Sequence, residues 1–289
     1  MQENSLSIND SMTVVLILFS LFFPTRSIGA ENSLQVQQGG IVPFTIMIPP
    51  SSQSVSGTFM NRSIPFFKSG KGAFLAIIGI DLSQKPGPHP FVVTWEKNGK
   101  TIQRDYVIDV KSGSFKEQRL TLPKGMVDLT PEILIRVRKE TGLMKTAFSQ
   151  GIDERLWRGE FIAPVAGKPQ GTFGRRRILN GKPRKAHSGE DITAVSGTPV
   201  FATNAGKIAL VGHFFFNGRL VVIDHGLGLF SMYFHLLDYS VSQGDHVKRG
   251  DQIGRVGSTG RSTGAHLHWG TRLNGAKIDP FSLVGKKLD

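Results

Sequence analysis

The C-terminal half of the chain has glycine every few residues and no long stretch with a helical period. Of the 289 residues, 34 are glycine. From Pro164 onward, glycines separate short runs rich in β-branched and aromatic residues, which favour strands. The candidate strands are Gly206 to Val211, Leu220 to Asp224, Leu229 to His235, Gln252 to Val256 and His266 to Leu273. We therefore predict an antiparallel sheet or open barrel over residues 165–289.

Short strands are also predicted in the first half of the chain. The pair Asn98-Gly99 separates two apolar runs and favours a tight hairpin turn, because both residues tolerate positive φ angles. Asn274-Gly275 gives the same signal near the C-terminus. The candidate strands are Ile41 to Ile48, Ala73 to Ile80, Phe91 to Trp95 and Thr101 to Val110. Residues 31–112 thus indicate a small β-sandwich-like accessory domain without a catalytic cluster.

The region between these two parts, residues 113–164, predicts a short helical connector. Thr130 and Pro131 are typical of an N-cap and a first helical position, and Gly142 is the expected end. A second helical stretch is expected around Ile152, Leu156 and Trp157. The predicted fold class is mainly β, with one short helical segment between the accessory domain and the C-terminal sheet.

The composition excludes several kinds of site. The chain has no cysteine, which rules out a cysteine-based zinc site, a disulfide framework and a thiol nucleophile. Any metal must therefore be held by His, Asp or Glu. The formal net charge is +13, which favours anionic surroundings such as a wall polymer, anionic lipid or nucleic acid. Charge alone suggests nucleic acid, and no nucleic-acid-binding motif supports it, so none is expected.

The N-terminus is predicted to carry an export signal. The apolar run from Val14 to Phe23 is too short for a membrane span, which needs about 20 residues. Small residues from Ser27 to Ala30 then provide a cleavage site. The segment before the apolar run lacks the usual basic residues. We expect residues 1–30 to direct export to the periplasm or cell envelope, with membrane attachment only through an uncleaved signal.

Histidines concentrate in the second half of the chain. In HSGED, His187 and Asp191 lie four residues apart, and in HLH, His266 and His268 share one face of a strand because strand side chains alternate. Two imidazoles and one carboxylate make a suitable ligand set for catalytic zinc. Spacing alone does not decide which histidine of HLH binds the metal.

Three segments resemble the signature blocks of the lysostaphin-type (LytM-like) zinc metalloendopeptidases of bacterial cell walls. These are HSGED, the YFHL segment around His235, and STGRSTGAHLHWG. The resemblance covers about residues 165–285. It implies one Zn²⁺ per chain held by His187, Asp191 and His268, and catalytic roles for His235 and His266.

The implied activity is hydrolysis of peptide cross-links in peptidoglycan. The alternative is a catalytically inactive wall-binding regulator that activates an amidase, and the complete ligand set argues against it. A dense basic cluster is a candidate docking site for stem-peptide carboxylates or anionic wall polymers: Arg175, Arg176, Arg177, Arg184 and Lys185. The resemblance also raises, and leaves open, the question whether Asn180 caps the zinc in a latent form, as an upstream asparagine does in some members of the family. We also expect residues 31–160 to regulate or position the peptidase rather than to catalyse.

Overall fold

Eight strands form the N-terminal region of the computed structural model, which describes residues 33–49, 52–70 and 72–289. The predicted export signal lies outside these residues. The strands are β1 (Ser33–Gln37), β2 (Ile41–Met47), β3 (Ser52–Phe59), β4 (Arg62–Pro65), β5 (Phe67–Lys68), β6 (Ala73–Gly79), β7 (Gly87–Lys97) and β8 (Lys100–Lys111).

These strands pair into two sheets that enclose an apolar core. One sheet has the order β1-β8-β7-β3-β4 and the other β2-β6-β5. The β7–β8 hairpin turns at Asn98 and Gly99, whose φ angles are 51° and 70°, as the sequence predicts. Between the sheets, Phe44 packs edge-on against Phe91 with ring centroids 5.1 Å apart. Aromatic pairs of this kind add to the stabilisation from area burial alone.

The connector contains one strand, β9 (Glu117–Leu120), and one long helix, α1 (Pro131–Ser149). Thr130 is the N-cap, and its side chain accepts a hydrogen bond from the Ile133 amide at 3.4 Å. The prediction that the helix ends at Gly142 is wrong. The helix continues to Ser149 because its last turns pack on the C-terminal sheet, where the Phe148 ring lies 5.1 Å from that of Phe230.

The predicted second helical stretch is also absent, since residues 150–164 contain no helix. The backbone amides of this segment are satisfied by the neighbouring sheet instead. The Ile152 amide donates to Asp224 Oδ2, and the Leu156 amide donates to the His225 carbonyl. The Trp157 indole is buried and donates to the Leu288 carbonyl. These long-range partners outweigh the local helical preference.

The C-terminal region contains twelve strands. They are β10 (Lys168–Pro169), β11 (Arg176–Leu179), β12 (Lys182–Pro183), β13 (Gly189–Thr193), β14 (Pro199–Phe201), β15 (Gly206–Phe214), β16 (Gly218–Gly226), β17 (Leu229–Tyr239), β18 (His246–Val247), β19 (Gln252–Val256), β20 (His266–Leu273) and β21 (Ala276–Ile278). Ten of them form one sheet with the main order β10-β13-β20-β17-β16-β15-β18. The prediction of a mainly β fold with an antiparallel C-terminal sheet is confirmed.

Two further contacts join the connector and the sandwich to the C-terminal region. Strand β9 of the connector pairs in parallel with β11, which also pairs with β12. An apolar cluster contains Ile41 and Ile77 of the sandwich together with Leu229 and Leu273 of the large sheet. The sandwich and the sheet therefore bury surface against each other. Across residues 33–49, 52–70 and 72–289, we find no helix that combines the length and apolar character needed to span a bilayer.

Candidate metal centre

The centre of the site is a cross-strand pair on the large sheet. Asp191 of β13 lies directly opposite His268 of β20, so both side chains project from the same face. The Asp191 Oδ1 and His268 Nδ1 atoms are 2.9 Å apart. Trp269, the next residue on β20, points to the opposite face and is fully buried in the core. Strand alternation thus separates the polar site from the apolar core.

His187 reaches the same point from the segment that precedes β13. Its Nε2 atom is 2.7 Å from His268 Nδ1 and 3.2 Å from Asp191 Oδ1. The donor atoms of His187, Asp191 and His268 all lie within 4.8 Å of one another, and all three residues are buried. Gly189 makes this packing possible, because a Cβ atom there would lie 2.6 Å from His268 Nε2. The structure brings together the three residues that the resemblance implies as metal ligands.

Thr172 and Glu190 hold this arrangement in place, and sequence reasoning did not identify them. The His187 Nδ1 atom donates to the Thr172 carbonyl, so Nε2 is unprotonated and its lone pair is directed at the site. The Thr172 hydroxyl accepts from the Asp191 amide at 2.9 Å. Buried Glu190 in turn accepts hydrogen bonds from the amides of Thr172 and Phe173. Glu190 lies within HSGED, but no sequence motif marks Thr172, because its partners His187, Glu190 and Asp191 lie 15 to 19 residues further along the chain.

His235 reaches the site through an irregularity in β17. Regular alternation would place it on the face of Tyr233, which is in the core. The β16–β17 pairing shifts register here, and His235 has a φ angle of 63°, which is uncommon for a residue with a Cβ. Its ring lies 4.9 Å from that of His266, and its Nδ1 donates to the Thr259 carbonyl at 2.8 Å. The local strain is therefore located at a candidate catalytic residue.

His266 completes the group of four histidines. It shares the face of His268 on β20, as strand alternation predicts, and its Nε2 lies 3.7 Å from Asp191 Oδ1. Its Nδ1 donates to the Gly264 carbonyl at 2.9 Å. Both His235 and His266 thus use Nδ1 for a main-chain carbonyl, which leaves Nε2 able to accept a proton.

Burial and hydrogen bonding set the charges at the site. Burial by itself would raise the pKa of Asp191, but the close approach of the His187 and His268 rings holds it well below its ordinary value. Burial lowers the pKa of His187 to about 4 and that of His235 to about 3. The carboxylate is therefore ionised and these two imidazoles are neutral near pH 7, which is the state that a metal ion requires of its ligands.

The predicted basic docking cluster is divided by the structure. Arg177, Arg184 and Lys185 line the cleft that contains the histidines. Arg176 points the other way on β11 because neighbouring strand residues face opposite sides, and it lines a hollow beside the sandwich. Arg175 donates to the carbonyls of Gly171 and Gln170. Arg175 and Arg176 therefore do not line the cleft, and substrate docking by the five residues stays a prediction.

Asn180 holds the connector. Its side-chain amide accepts from the Leu122 amide at 2.8 Å and donates to the Leu122 carbonyl at 2.9 Å. Connector residues Val127 and Leu129 form part of the cleft wall that faces His187 and His235. The Asn180 side chain therefore fastens the connector beside the cleft, and in this arrangement its polar atoms bind Leu122 rather than the metal centre.

Comparison with known proteins places the C-terminal region in a family of metallopeptidases. Residues 185–280 match the model of peptidase family M23. A solved structure from Pseudomonas aeruginosa that is assigned to peptidase M23 covers 86% of this chain and 94% of its own, with 29% identity and a TM-score of 0.67. The sequence-based family assignment is confirmed, and the C-terminal region is a peptidase family M23 domain.

Two curated relatives each match about a third of the chain. DD-carboxypeptidase/endopeptidase Mpg of Neisseria meningitidis serogroup B is 44% identical over 100 residues, which cover 35% of this chain and 23% of the relative. Peptidoglycan DD-endopeptidase ShyC of Vibrio cholerae is 41% identical over 96 residues, covering 33% of this chain and 22% of the relative. The chain thus spans about a quarter of the length of the curated relatives that it matches.

Proposed function

We propose that this protein is a zinc-dependent endopeptidase that hydrolyses peptide cross-links of bacterial peptidoglycan. The observation that carries the proposal is the convergence of His187, Asp191 and His268, with His235 and His266 on the same side of the sheet. The match to family M23 and the similarity to proteins named as peptidoglycan endopeptidases support this substrate class.

The residues at the centre fit a zinc ion. Two imidazole nitrogens and a carboxylate oxygen are preferred zinc ligands, and three protein ligands leave a coordination position for substrate or water. Lone pairs that converge this closely need a shared proton or a cation between them. Zinc, when bound, supplies the Lewis acidity that makes water nucleophilic near neutral pH and polarises the scissile carbonyl. We expect one zinc ion per chain.

His235 and His266 are the candidates for proton transfer. Each keeps Nε2 free because Nδ1 is occupied by a main-chain carbonyl. A neutral imidazole at this position can accept a proton from the attacking water and deliver it to the leaving amine. The other histidine, when it carries a proton at Nε2, can donate a hydrogen bond to the negative charge that develops on the carbonyl oxygen. Either residue can perform either task in this arrangement.

The alternative of an inactive regulator is not favoured, since all five implied residues are present and their rings or carboxylate lie together. We propose export to the periplasm or cell envelope on the basis of the sequence from Val14 to Phe23. Stem peptides are the proposed partners of the cleft. Anionic wall polymers are a second class of partner that the net charge of +13 favours.

Digestion of purified peptidoglycan tests the function. The zinc-loaded full-length chain should release fragments with new amino and carboxyl termini, which mass spectrometry identifies together with the bond that is cut. The same chain treated with a chelator, and an Asp191→Ala variant, should release none. Equal digestion by the chelated chain, or no digestion by a chain shown to contain zinc, would overturn the proposal.

A further inference from the structure

Three arginines from separate parts of the sequence meet at one wall of the metal cleft. Arg177 lies on β11, Arg184 follows β12, and Arg261 lies on the loop before β20. All three line the hollow that contains His187, His235 and His268. Arg177 and Arg261 also line the adjoining hollow that contains Asp191 and His266. The basic sequence cluster does not predict Arg261, which comes close to the others only in the fold.

The hydrogen-bond acceptors of these guanidinium groups are mostly neutral. Arg177 donates to the Gln118 side chain at 3.2 Å, Arg184 donates to the Val127 carbonyl at 3.1 Å, and Arg261 reaches the Met126 carbonyl at 3.5 Å. The nearest carboxylate partner within the described residues is Asp191, which lies 3.6 Å from Arg177. Asp191 is also an implied metal ligand, so its charge is shared with a divalent cation.

The cleft therefore concentrates positive charge that its two carboxylates, Asp128 and Asp191, offset only in part. Burial, together with the charges of Arg177 and Arg184, lowers the pKa of Arg261 to about 10. Arg261 also lies over the Phe216 ring, with 4.2 Å between its Cζ and the ring centroid. This cation–π contact helps to hold the guanidinium at the cleft wall. A planar, partly desolvated guanidinium is well suited to bind a carboxylate with two parallel hydrogen bonds.

We propose that Arg261, with Arg177 and Arg184, binds a free carboxylate on the substrate residue that supplies the leaving amine. This inference rests on the proposed function and specifies its substrate class. The leaving amine must lie near His235 or His266, which protonate it. An α-carboxylate is attached to the same carbon as that amine, so it lies beside these histidines, where Arg177 and Arg261 line the hollow.

The favoured substrate is a peptide in which the residue after the cut bond ends in a free carboxylate. A cross-link in which that carboxylate is amidated loses the charge and one of the two acceptor oxygens, and it leaves a guanidinium unpaired in a partly buried site. The arginines therefore select against amidated cross-links. The three guanidinium groups contact neutral oxygen atoms of the connector. The substrate carboxylate takes the place of these oxygen atoms.

A matched pair of substrates tests the inference on the full-length, zinc-loaded chain. One is a cross-linked peptide dimer with a free α-carboxylate next to the scissile amide, and the other is the same dimer with that group amidated. We expect kcat/KM to be at least about tenfold higher for the free carboxylate. Arg261→Gln should reduce this ratio to near one, mainly through KM, and Arg261→Lys should restore part of it. Arg138→Gln makes the same change of charge on the exposed face of α1 and should leave the ratio unchanged.

A binding measurement separates this inference from the proposed function. Calorimetric titration of the chelator-treated chain with a monomeric peptide product should show weaker binding when the carboxylate is amidated, and Arg261→Gln should abolish this difference. Equal rates on both dimers would overturn the inference while the hydrolase function stands. Carboxylate-dependent binding without hydrolysis of either dimer would overturn the hydrolase function alone. An equal loss of selectivity in Arg138→Gln would show a general charge effect and would also overturn the inference.

Discussion

The two β regions use similar strands but bury different kinds of side chain. In the sandwich, residues 33–111, the buried side chains are apolar, with Phe44, Phe91 and Ile108 near the centre. Every buried polar or charged side chain among the described residues lies between Thr172 and Thr271. Buried polar groups cost stability unless each finds a partner. The sandwich avoids that cost, whereas the C-terminal region buries such groups both at the metal centre and at structural positions such as Asp224 and His225.

The largest expected effect is the loss of metal from the M23 domain. His268→Ala removes one of three converging ligands, and we expect zinc content to fall from one per chain to near zero, with loss of hydrolysis. His89→Ala removes the only histidine of the sandwich and should retain full zinc content. Mass-spectrometric metal analysis of both purified variants checks this. Full zinc occupancy in His268→Ala would show that the ligand assignment is wrong.

A separate effect is expected at His235, whose side chain is proposed to transfer protons rather than to bind the metal. His235→Ala should keep its zinc but lose about 10²- to 10⁴-fold in kcat, the usual contribution of a general acid or base. His213, an exposed histidine on β15, provides the control, since His213→Ala should retain both zinc and activity. Steady-state kinetics and metal analysis on the same samples measure kcat and zinc content for both variants. Loss of zinc in His235→Ala would assign His235 to the metal instead.

Buried His225 should make the stability of the M23 domain dependent on pH. It is fully buried, its Nδ1 contacts the Ala205 carbonyl at 2.7 Å, and burial lowers its pKa to about 4. Between about pH 6.5 and pH 4, the unfolded chain binds the proton and the folded chain does not, so stability falls as the pH drops. Relative to a His225→Asn variant, we expect the free energy of unfolding to fall by about 2 kcal/mol from pH 7 to pH 5.

Urea unfolding of chelator-treated samples at the two pH values measures this difference. The chelator removes the separate pH dependence of metal binding, and the comparison with His225→Asn removes the contributions of the other histidines. If both chains lost the same free energy on acidification, the neutral state of buried His225 would not be the cause.

The smallest expected effect concerns the connector. Asn180→Gly keeps the positive φ angle of 49° accessible but removes two hydrogen bonds to Leu122. Each is worth about 0.5–1.5 kcal/mol, so the connector should leave the cleft more often. We expect kcat/KM on soluble cross-linked peptides to rise by about three- to tenfold. Asn98→Gly, the same change in the sandwich hairpin, should have no effect. A decrease in Asn180→Gly would instead show that the connector completes the active site.

Local rules account for much of the fold. The hairpin turns at Asn98-Gly99 and Asn274-Gly275, the N-cap at Thr130 and the strands of both regions follow from residues close in sequence. The end of α1 does not, because Gly142 costs only about 1 kcal/mol inside a helix and packing of Phe148 on the sheet outweighs it. Local rules also do not predict the arrangement of residues 150–164. The hydrogen-bond partners of this segment lie far away in the sequence, at Asp224 and Leu288.

The sequence by itself determined that His266 and His268 share a face, because alternation is a property of any extended strand. The family resemblance, rather than spacing, chose His268 over His266 as the implied ligand. Only the tertiary structure decided that His235 turns toward the site, through a register shift that depends on the partner strand. The tertiary structure alone placed Thr172 behind His187 and Arg261 beside Arg177, since these contacts join segments that are separated in sequence. The sequence could therefore supply the chemical groups, but their common position depended on strand pairing across the whole domain.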